Sequence, residues 1–395
     1  MKLWDKGYDL DKKIEAFTVN DDHILDMKLI RYDIEASFAH ANMLREIKIL
    51  SEEEFSNISK GLNEILKLLD EGKFEIKISQ EDCHTAIEEF LTDFIGDAGK
   101  KIHTGRSRND QVLTAIRLYE KHEIMLVSNL INDFNNNIYT IIKSNNDIIL
   151  SGYTHTRKAM PLSLESWLGG FRNAMKDNLI SLSSDFDIAD NNPLGSAAGF
   201  GVPVIRINRE TTSKYLGFKK WYDTDSYYQN TRGKIEGMII STLSSIMLDL
   251  NKLCSDLIFY SMDEFKCLKL PDTICTGSSI MPHKKNPDVL ELVRANYHII
   301  LSEEIRVKTI SANLISGYHR DLQLTKASLI NSFEITKNSI EIMSYVLSKI
   351  EFNKENIESQ LTPELYAVEK VNKLLNSGVT FRDAYNEISK QFLIR

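Results

Sequence analysis

Apolar residues recur along much of the chain at alternating steps of three and four positions, in rows that we call seams. Such steps place side chains on one face of a helix and are typical of helices that pack side by side. Only 7 prolines and 18 glycines interrupt the 395 residues, so the helices are expected to be long. The pattern therefore predicts a helix bundle. The four clearest seams are Val127, Ile131, Phe134, Ile138 and Ile141; Ile235, Ile239, Leu243, Ile246, Leu250, Leu253 and Leu257; Leu290, Val293, Tyr297 and Ile300; and Ile340, Met343, Leu347 and Ile350.

Strand signals are poor, which favours an all-α fold. The best strand candidate is the short run from Val202 to Ile207, and it contains Pro203. Three parts are predicted: an N-terminal helical domain over residues 1–105, a central long-helix bundle over 106–350, and a short C-terminal helical domain over 351–395.

Charge and composition narrow the class of protein. A net charge of −8 argues against a general nucleic-acid binder, although a local cluster of basic residues can still hold an anionic substrate. The four cysteines show no CxxC spacing, and the N-terminus lacks the apolar stretch of a signal peptide. No apolar run approaches the ~20 residues that span a membrane. A cytoplasmic protein with free thiols is expected. Cys83 stands beside His84, but two neighbours do not make a metal site, so no metal is predicted.

The stretch from Thr276 to Asp288 is the most informative segment. Asn286 suits a helix N-cap and Pro287 the first helical position, which leaves the Gly-Ser-Ser run before them in a loop. Hydroxyls and lysines beside a helix N-terminus can bind an anion and stabilise charge that grows in a transition state. Taken alone, the segment favours the alternative of a solvated polar loop.

A second segment runs from Lys101 to Gln111, immediately before a long seam. Asn109 or Asp110 is predicted to cap that helix, with Arg106, Ser107 and Arg108 in the approach loop. Arginine can grip a carboxylate with two parallel hydrogen bonds. The alternative is a capped helix with ordinary surface arginines, and the residues alone leave both open.

Two further segments carry polar groups suited to substrate chemistry. His155, beside Thr154, could do acid–base work near neutral pH, although a lone histidine is more often structural. Gln323 and Lys326 would share a helix face, either for recognition of a polar substrate or as a hydrated surface.

Together these segments resemble the argininosuccinate lyase branch of the aspartase/fumarase superfamily. Residues 277–286 are similar to the superfamily signature Gly-Ser-Ser-x-x-Pro-x-Lys-x-Asn. The doubled lysine and the run His103-Thr104-Gly105-Arg106-Ser107-Arg108-Asn109-Asp110-Gln111 resemble the argininosuccinate lyase version. Recognisable stretches extend from Phe17 to Arg382. The resemblance implies an all-α long-helix bundle of the aspartase/fumarase type and a β-elimination of argininosuccinate to arginine and fumarate without a cofactor.

The resemblance also implies a role for each matching residue. Ser278 would be the base that removes the Cβ proton, and Lys284 and Asn286 would stabilise the resulting aci-carboxylate. Thr154 and His155 would lie by the leaving nitrogen, with Glu291 orienting His155. The substrate would be bound by Ser107, Arg108 and Asn109 at the succinyl and amino-acid ends, and by Tyr318, Gln323 and Lys326 at the arginine portion.

Three departures from the family pattern stand beside these roles. Arg157 occupies the position of a usual glutamine, Asp5-Lys6-Gly7-Tyr8 replaces Gly-Gly-Arg-Phe, and the C-terminal domain looks shorter than usual. The alternatives are another fumarate-releasing lyase of the superfamily, acting on adenylosuccinate or a succinyl-amino acid, and a non-catalytic helical oligomer. The expected partners are the small substrate and three further copies in a homotetramer that shares its active sites between subunits, in the service of arginine biosynthesis; neither nucleic acid nor membrane is expected.

Overall fold

The computed structural model describes residues 11–392, so the Asp5-to-Tyr8 departure lies outside the described residues. Helices dominate this part of the chain, as the seams predicted. They are α1 (Lys12–Val19), α2 (Asp22–Leu25), α3 (Ile30–Glu46), α4 (Glu52–Asp70), α5 (Cys83–Ile95), α6 (Asp97–Lys100), α7 (Arg108–Ser144), α8 (Leu164–Ala189), α9 (Arg209–Leu216), α10 (Ser226–Asn230), α11 (Lys234–Ser261), α12 (Asp288–Ile310), α13 (Thr325–Leu347), α14 (Lys354–Gln360), α15 (Ala367–Asn376) and α16 (Phe381–Lys390).

The strands are few and short, and they pair in three antiparallel couples: β1 with β2, β3 with β6, and β4 with β5. The strands are β1 (Ile149–Thr154), β2 (Arg157–Ser163), β3 (Leu268–Lys269), β4 (Thr276–Gly277), β5 (Lys285–Asn286) and β6 (Glu351–Phe352). The strand candidate from Val202 to Ile207 is wrong, because this segment is an irregular loop. Pro203 has no N–H for a ladder, and Val204 is fully exposed in the left-handed region at φ 70°.

The predicted seams are buried nearly throughout. All seven seam residues of α11 are at most 3% exposed, and in α7 the seam is buried from Val127 to Ile138. It then drifts, so that Ile142 is buried in place of Ile141. A helix of 3.6 residues per turn departs slowly from a strict three-and-four pattern, which explains this drift.

The long helix α8 had no predicted seam. Its buried positions do follow steps of three and four, but two of them are polar. Asn178 donates to Asp249 Oδ2 at 2.8 Å, and the Asp185 Oδ2 accepts from Thr242 Oγ1 at 2.6 Å. A buried polar residue with a partner is stable inside a core but interrupts the apolar pattern in the sequence.

The chain forms two compact units that are each discontinuous in sequence. The first comprises residues up to Val127 with Ser181–Thr242 and Leu301–Phe333; the second comprises Ser128–Ile180, Leu243–Ile300 and the chain from Glu334 onward. The predicted three-part division stays a prediction. None of the helices between residues 11 and 392 combines the length and apolar character needed to cross a membrane.

Candidate active site

The first unit contains a cavity of about 500 Å³, a size suited to a small ligand. Six predicted substrate-binding residues line it, although they come from two distant parts of the sequence. These residues are Ser107, Arg108, Asn109, Tyr318, Gln323 and Lys326.

One wall of the cavity is the N-terminus of α7, which begins two or three residues earlier than predicted. Ser107 is the N-cap, because its Oγ accepts from the Asn109 amide at 3.3 Å and its carbonyl accepts from the Gln111 amide at 3.1 Å. The Ser107 amide in turn donates to Asp110 Oδ1 at 2.9 Å. The predicted cap at Asn109 or Asp110 is therefore wrong, and Arg108 is the first helical residue and not part of the approach loop. A serine with an acid three positions later forms a reciprocal cap, which is stronger than either residue alone.

Asp110 also holds the loop of residues 193–197 against this helix end. Its Oδ2 accepts from the Gly195 amide at 3.0 Å and from the Ala197 amide at 2.9 Å. Both residues have positive φ, 99° and 50°, which turns their amides toward one acceptor. Burial raises the pKa of Asp110, and these amide donors oppose that rise. Asp110 is thus a structural anchor of the site.

Arg108 faces two acidic residues of the same cavity. Its Nη2 lies 2.9 Å from Glu81 Oε2 and also donates to Asp82. Burial acts against the charged guanidinium, but the two carboxylates raise the pKa of Arg108 overall. Burial acts to raise the pKa of Asp82, but the charges of His84 and Arg108 act to lower it. The pKa of Asp82 is lowered overall. A rigid, charged guanidinium of this kind can turn its remaining N–H groups to a substrate carboxylate.

Lys326 lies at the bottom of the cavity between two acidic residues of the N-terminal segment. Its Nζ is 2.9 Å from Asp22 Oδ1 and 2.5 Å from Asp26 Oδ1, and its side chain is 4% exposed. Burial acts to lower the pKa of Lys326, but the two carboxylates raise it by more. The pKa of Lys326 therefore lies above its usual value. The local sequence around residue 326 contains no sign of these partners, which lie about 300 positions away.

We expect Lys326→Met to destabilise the protein by roughly 3–5 kcal/mol, because it leaves two carboxylates buried without their cation. Chemical denaturation followed by circular dichroism measures the effect. The matched control is Lys308→Met, which removes an exposed pair with Glu304 and should cost less than about 1 kcal/mol. Adding Asp26→Asn to Lys326→Met should recover part of the loss. An unchanged denaturation midpoint for Lys326→Met would contradict this account.

Charge in the cavity is mixed, with four acidic and five basic residues in the lining. The acidic residues are Asp22, Asp26, Glu81 and Asp82, and the basic residues are Arg106, Arg108, Arg232, Arg320 and Lys326. Such a lining suits a ligand that carries carboxylates and cationic groups together.

Arg232 also lines the cavity, although no motif in the sequence selects it. It is 5% exposed, and its guanidinium lies 4.9 Å from the centre of the Tyr318 ring. In the described part of the chain, its Nη1 has no hydrogen-bond partner. A buried guanidinium nitrogen without a partner is costly unless a ligand supplies an acceptor. The surrounding sequence Thr-Arg-Gly-Lys is like that of many polar helix N-termini, so no sequence motif indicates that Arg232 lines a cavity.

In the second unit, Thr154 and His155 lie at a hairpin. Thr154 ends β1 and pairs with Arg157 of β2, so that His155 and Thr156 form a two-residue turn. Both have positive φ, 50° and 58°, as a primed hairpin turn requires. Residues other than glycine adopt this conformation at a cost, and such strain is common where a side chain must be presented for function. His155 is exposed at the tip.

Ser278 lies in the loop between β4 and β5. The strand pair Thr276 with Asn286 and Gly277 with Lys285 closes the loop. Ser278 Oγ accepts from the Met281 amide at 3.1 Å and from the Ile280 amide at 3.4 Å. Amide donors to this oxygen would favour the alkoxide form that a base requires.

The other predicted residues of the second unit surround this loop in sequence. Lys285 pairs with Asp272, whereas no hydrogen bond or ion pair within residues 11–392 occupies the exposed Lys284 ammonium. Asn286 Nδ2 lies 3.5 Å from the Gly277 carbonyl. Glu291 is exposed, and among the described residues no hydrogen bond joins it to His155, so its orienting role stays a prediction.

The start of α12 also differs from the prediction. The helix begins at Asp288, and the carbonyl of Pro287 accepts from the amides of Leu290 and Glu291. Pro287 therefore occupies the N-cap, and the predicted cap Asn286 belongs to β5. The difference is one residue, and it arises because Asn286 pairs with Thr276 instead of turning into the helix.

The twelve predicted site residues thus divide evenly between the two units. Six line the cavity of the first unit, and six lie in the second unit and are not part of its lining: Thr154, His155, Ser278, Lys284, Asn286 and Glu291.

Comparison with known proteins gives consistent results. A lyase family profile matches residues 9–300. An argininosuccinate lyase of Thermotoga neapolitana is 48% identical over 391 residues, which are 99% of this chain and 98% of that protein. One of Bacteroides fragilis is 37% identical over 387 residues, covering 98% and 86%. The crystal structure of a class II fumarase from Schistosoma mansoni matches with a TM-score of 0.78 at 16% identity, over 95% of this chain and 91% of that one. The last match concerns the fold alone, and it confirms the predicted all-α bundle of the aspartase/fumarase type.

Proposed function

The chain belongs to the argininosuccinate lyase family, and from this membership we propose that it cleaves argininosuccinate to arginine and fumarate by β-elimination. The observation that carries the proposal is the full-length match to the Thermotoga neapolitana enzyme. The lyase class itself follows from the family.

The cavity of the first unit is proposed to bind the substrate. Argininosuccinate carries three carboxylates, an α-amino group and a guanidinium, so it needs a site with both signs of charge. Arg108 and Arg232 supply donors for carboxylates, and the acidic residues around Lys326 balance the cationic groups of the substrate. Ser107 and Asn109 add polar contacts at the helix N-terminus, where the helix dipole favours an anion.

The second unit, contributed by other copies in the proposed homotetramer, is proposed to supply the proton transfers. Ser278 Oγ takes the Cβ proton, the C–H electron pair forms the C=C bond, and the C–N bond breaks. The leaving guanidine nitrogen receives a proton from His155, directly or through water, with Thr154 beside it. Glu291 is proposed to orient His155.

Lys284 and Asn286 are proposed to stabilise the negative charge that this step adds to a carboxylate. A proton beside a carboxylate is weakly acidic, because its removal makes a dianion. A fixed ammonium lowers the energy of that dianion by several kcal/mol when water is excluded. The Lys284 ammonium, which has no ion-pair partner among residues 11–392, supports this role, since Lys285 already pairs with Asp272.

The active form is proposed to be a cytoplasmic homotetramer that serves arginine biosynthesis. Large apolar side chains are exposed on the long helices, where a bundle from several chains would cover them. Examples are Ile180 at 71%, Leu292 at 66%, Ile305 at 56% and Tyr345 at 51% exposure. Exposed apolar residues of this number favour an interface.

A fumarate assay tests the proposal. Purified protein with argininosuccinate should release fumarate and arginine in equal amounts, and adenylosuccinate should yield neither. The proposed chemistry uses only side chains, so activity should survive prolonged dialysis against EDTA. Fumarate release from adenylosuccinate alone would show that the protein is another lyase of the superfamily. No fumarate from either substrate would contradict the proposal and leave a succinyl-amino-acid lyase or the non-catalytic oligomer. A loss of activity in EDTA that a divalent ion restores would contradict the cofactor-free reaction.

A further inference from the structure

Three potential metal ligands meet in the interior of the first unit, outside the residues used in the proposed reaction. Asp33 lies on α3, and Cys83 and His84 begin α5. His84 Nδ1 is 2.9 Å from Asp33 Oδ2, Cys83 Sγ is 3.7 Å from His84 Nδ1, and Cys83 Sγ is 3.9 Å from Asp33 Oδ2. All three residues are buried, with exposures of at most 4%. The three ligand atoms thus form a compact, buried triangle.

The size of this triangle fits a small divalent cation. The point equidistant from its three corners lies about 2.1 Å from each atom, against typical zinc distances of about 2.0–2.2 Å to nitrogen and oxygen and about 2.3 Å to sulfur. Thiolate, imidazole and carboxylate together are a donor set that zinc accepts, whereas magnesium and calcium prefer oxygen alone. Three protein ligands leave the fourth zinc position for a water.

Unpartnered polar atoms in the same cluster point to a missing ligand. Asp33 Oδ1 and His84 Nε2 are buried and have no hydrogen-bond partner among residues 11–392. Such atoms are costly, and a cation that holds Asp33 through both oxygens would compensate one of them. The backbone at Cys83 is fixed as well, because its amide donates to Asp26 Oδ2 at 3.0 Å. The cluster is therefore rigid in a geometry that needs little change to bind a cation.

We propose that Asp33, Cys83 and His84 form a binding site for one zinc-like divalent cation per chain. On binding, the Cys83 thiol releases its proton to solvent, and the His84 imidazole binds through an Nδ1 that carries no proton. No oxidation or reduction is involved.

The position of the cluster gives the cation a way in and a structural effect. His84 also lines the substrate cavity, so a cation can reach the cluster from there. Bound metal would join α3 to α5 and fix His84 next to Asp82, the partner of Arg108. The metal site takes no part in the proposed elimination, so its test is independent of the test of the proposed function.

Cobalt(II) is the probe, since it replaces zinc and absorbs light when a thiolate binds it. Protein dialysed against EDTA and then given one equivalent of cobalt(II) should develop a sulfur-to-metal charge-transfer band in the near ultraviolet. Equilibrium dialysis with zinc should retain about one ion per chain, and zinc should raise the melting temperature. Absence of the band together with no retained zinc would overturn the proposal.

Cys83→Ser and Cys83→Val should both lose the charge-transfer band and bind zinc on the order of 100-fold more weakly. The valine variant places an apolar group at this buried position, so it remains informative if the serine variant fails to fold. Cys254→Ser is the matched control: this thiol is also buried but lies against Met343, so its replacement should leave the band and the zinc stoichiometry unchanged. A band that persists in both Cys83 variants, or that disappears in Cys254→Ser, would show that the cation binds elsewhere and overturn the assignment.

Discussion

Ser278→Ala is expected to lower kcat for argininosuccinate by about three orders of magnitude or more while leaving the fold unchanged. The proposed reaction has no other group to take the Cβ proton, and removing one member of a concerted site commonly has an effect of this size. The fold should tolerate the change, because Ser278 lies in an exposed loop and, within residues 11–392, its Oγ accepts only from the amides of Ile280 and Met281. Steady-state fumarate release and the melting temperature are the two measurements.

Ser279→Ala is the matched control, since it removes the same hydroxyl from the neighbouring position of the same loop. It should retain kcat within a few-fold. Binding of substrate by Ser278→Ala, followed by calorimetry, should stay close to that of the parent, because the hydroxyl acts only along the reaction path. A well-folded Ser278→Ala protein with nearly normal kcat would remove Ser278 as the base, and an equal loss in Ser279→Ala would mean that the loop conformation had been disturbed.

The sequence predicted the helices well wherever burial and apolarity coincide. The seam of α11 is buried from Ile235 to Leu257 because each of its positions is apolar. The helix α8 shows the limit of this reasoning: Asn178 and Asp185 take core positions because distant residues satisfy them, and no local pattern reveals such a partner. The strand prediction around Val204 is wrong for a similar reason. Apolar residues alone do not indicate whether a neighbouring strand is present to pair with them.

Within the site, the sequence indicated residue types in local motifs but not their partners. The motif around Arg108 left open whether this arginine binds a carboxylate. It did not indicate Glu81 and Asp82, which hold the guanidinium and lie 27 and 26 positions before it. The same holds for Lys326 with Asp22 and Asp26. Asp33 lies 50 positions from Cys83, which is why neighbouring Cys83 and His84 gave no metal site on their own. Long-range pairing is a property of the fold and not of any short stretch of sequence.

Two inactive variants, Arg108→Gln and His155→Asn, are expected to restore activity to each other when mixed, refolded and reassembled. In the proposed tetramer each site takes the Arg108 segment from one subunit and the His155 segment from another. Random assembly then leaves about a quarter of the sites free of both substitutions, so about a quarter of the parent activity should return. Glutamine at 108 retains a donor for Glu81 and Asp82, which limits any loss of stability. Fumarate release before and after reassembly measures the recovery.

The pair Arg108→Gln and Asn109→Ala is the matched control for this experiment. These residues are adjacent in one chain, so every site receives both positions from the same subunit and always contains one substitution. Mixing them should restore nothing, whatever the oligomeric state. Recovery in this control would show that refolding alone had raised activity. If Arg108→Gln and His155→Asn also fail to recover while the parent refolds normally, each site is built from one chain. A fully active protein with a monomeric mass in analytical ultracentrifugation would lead to the same conclusion, and the exposed apolar residues of the long helices would then need another explanation.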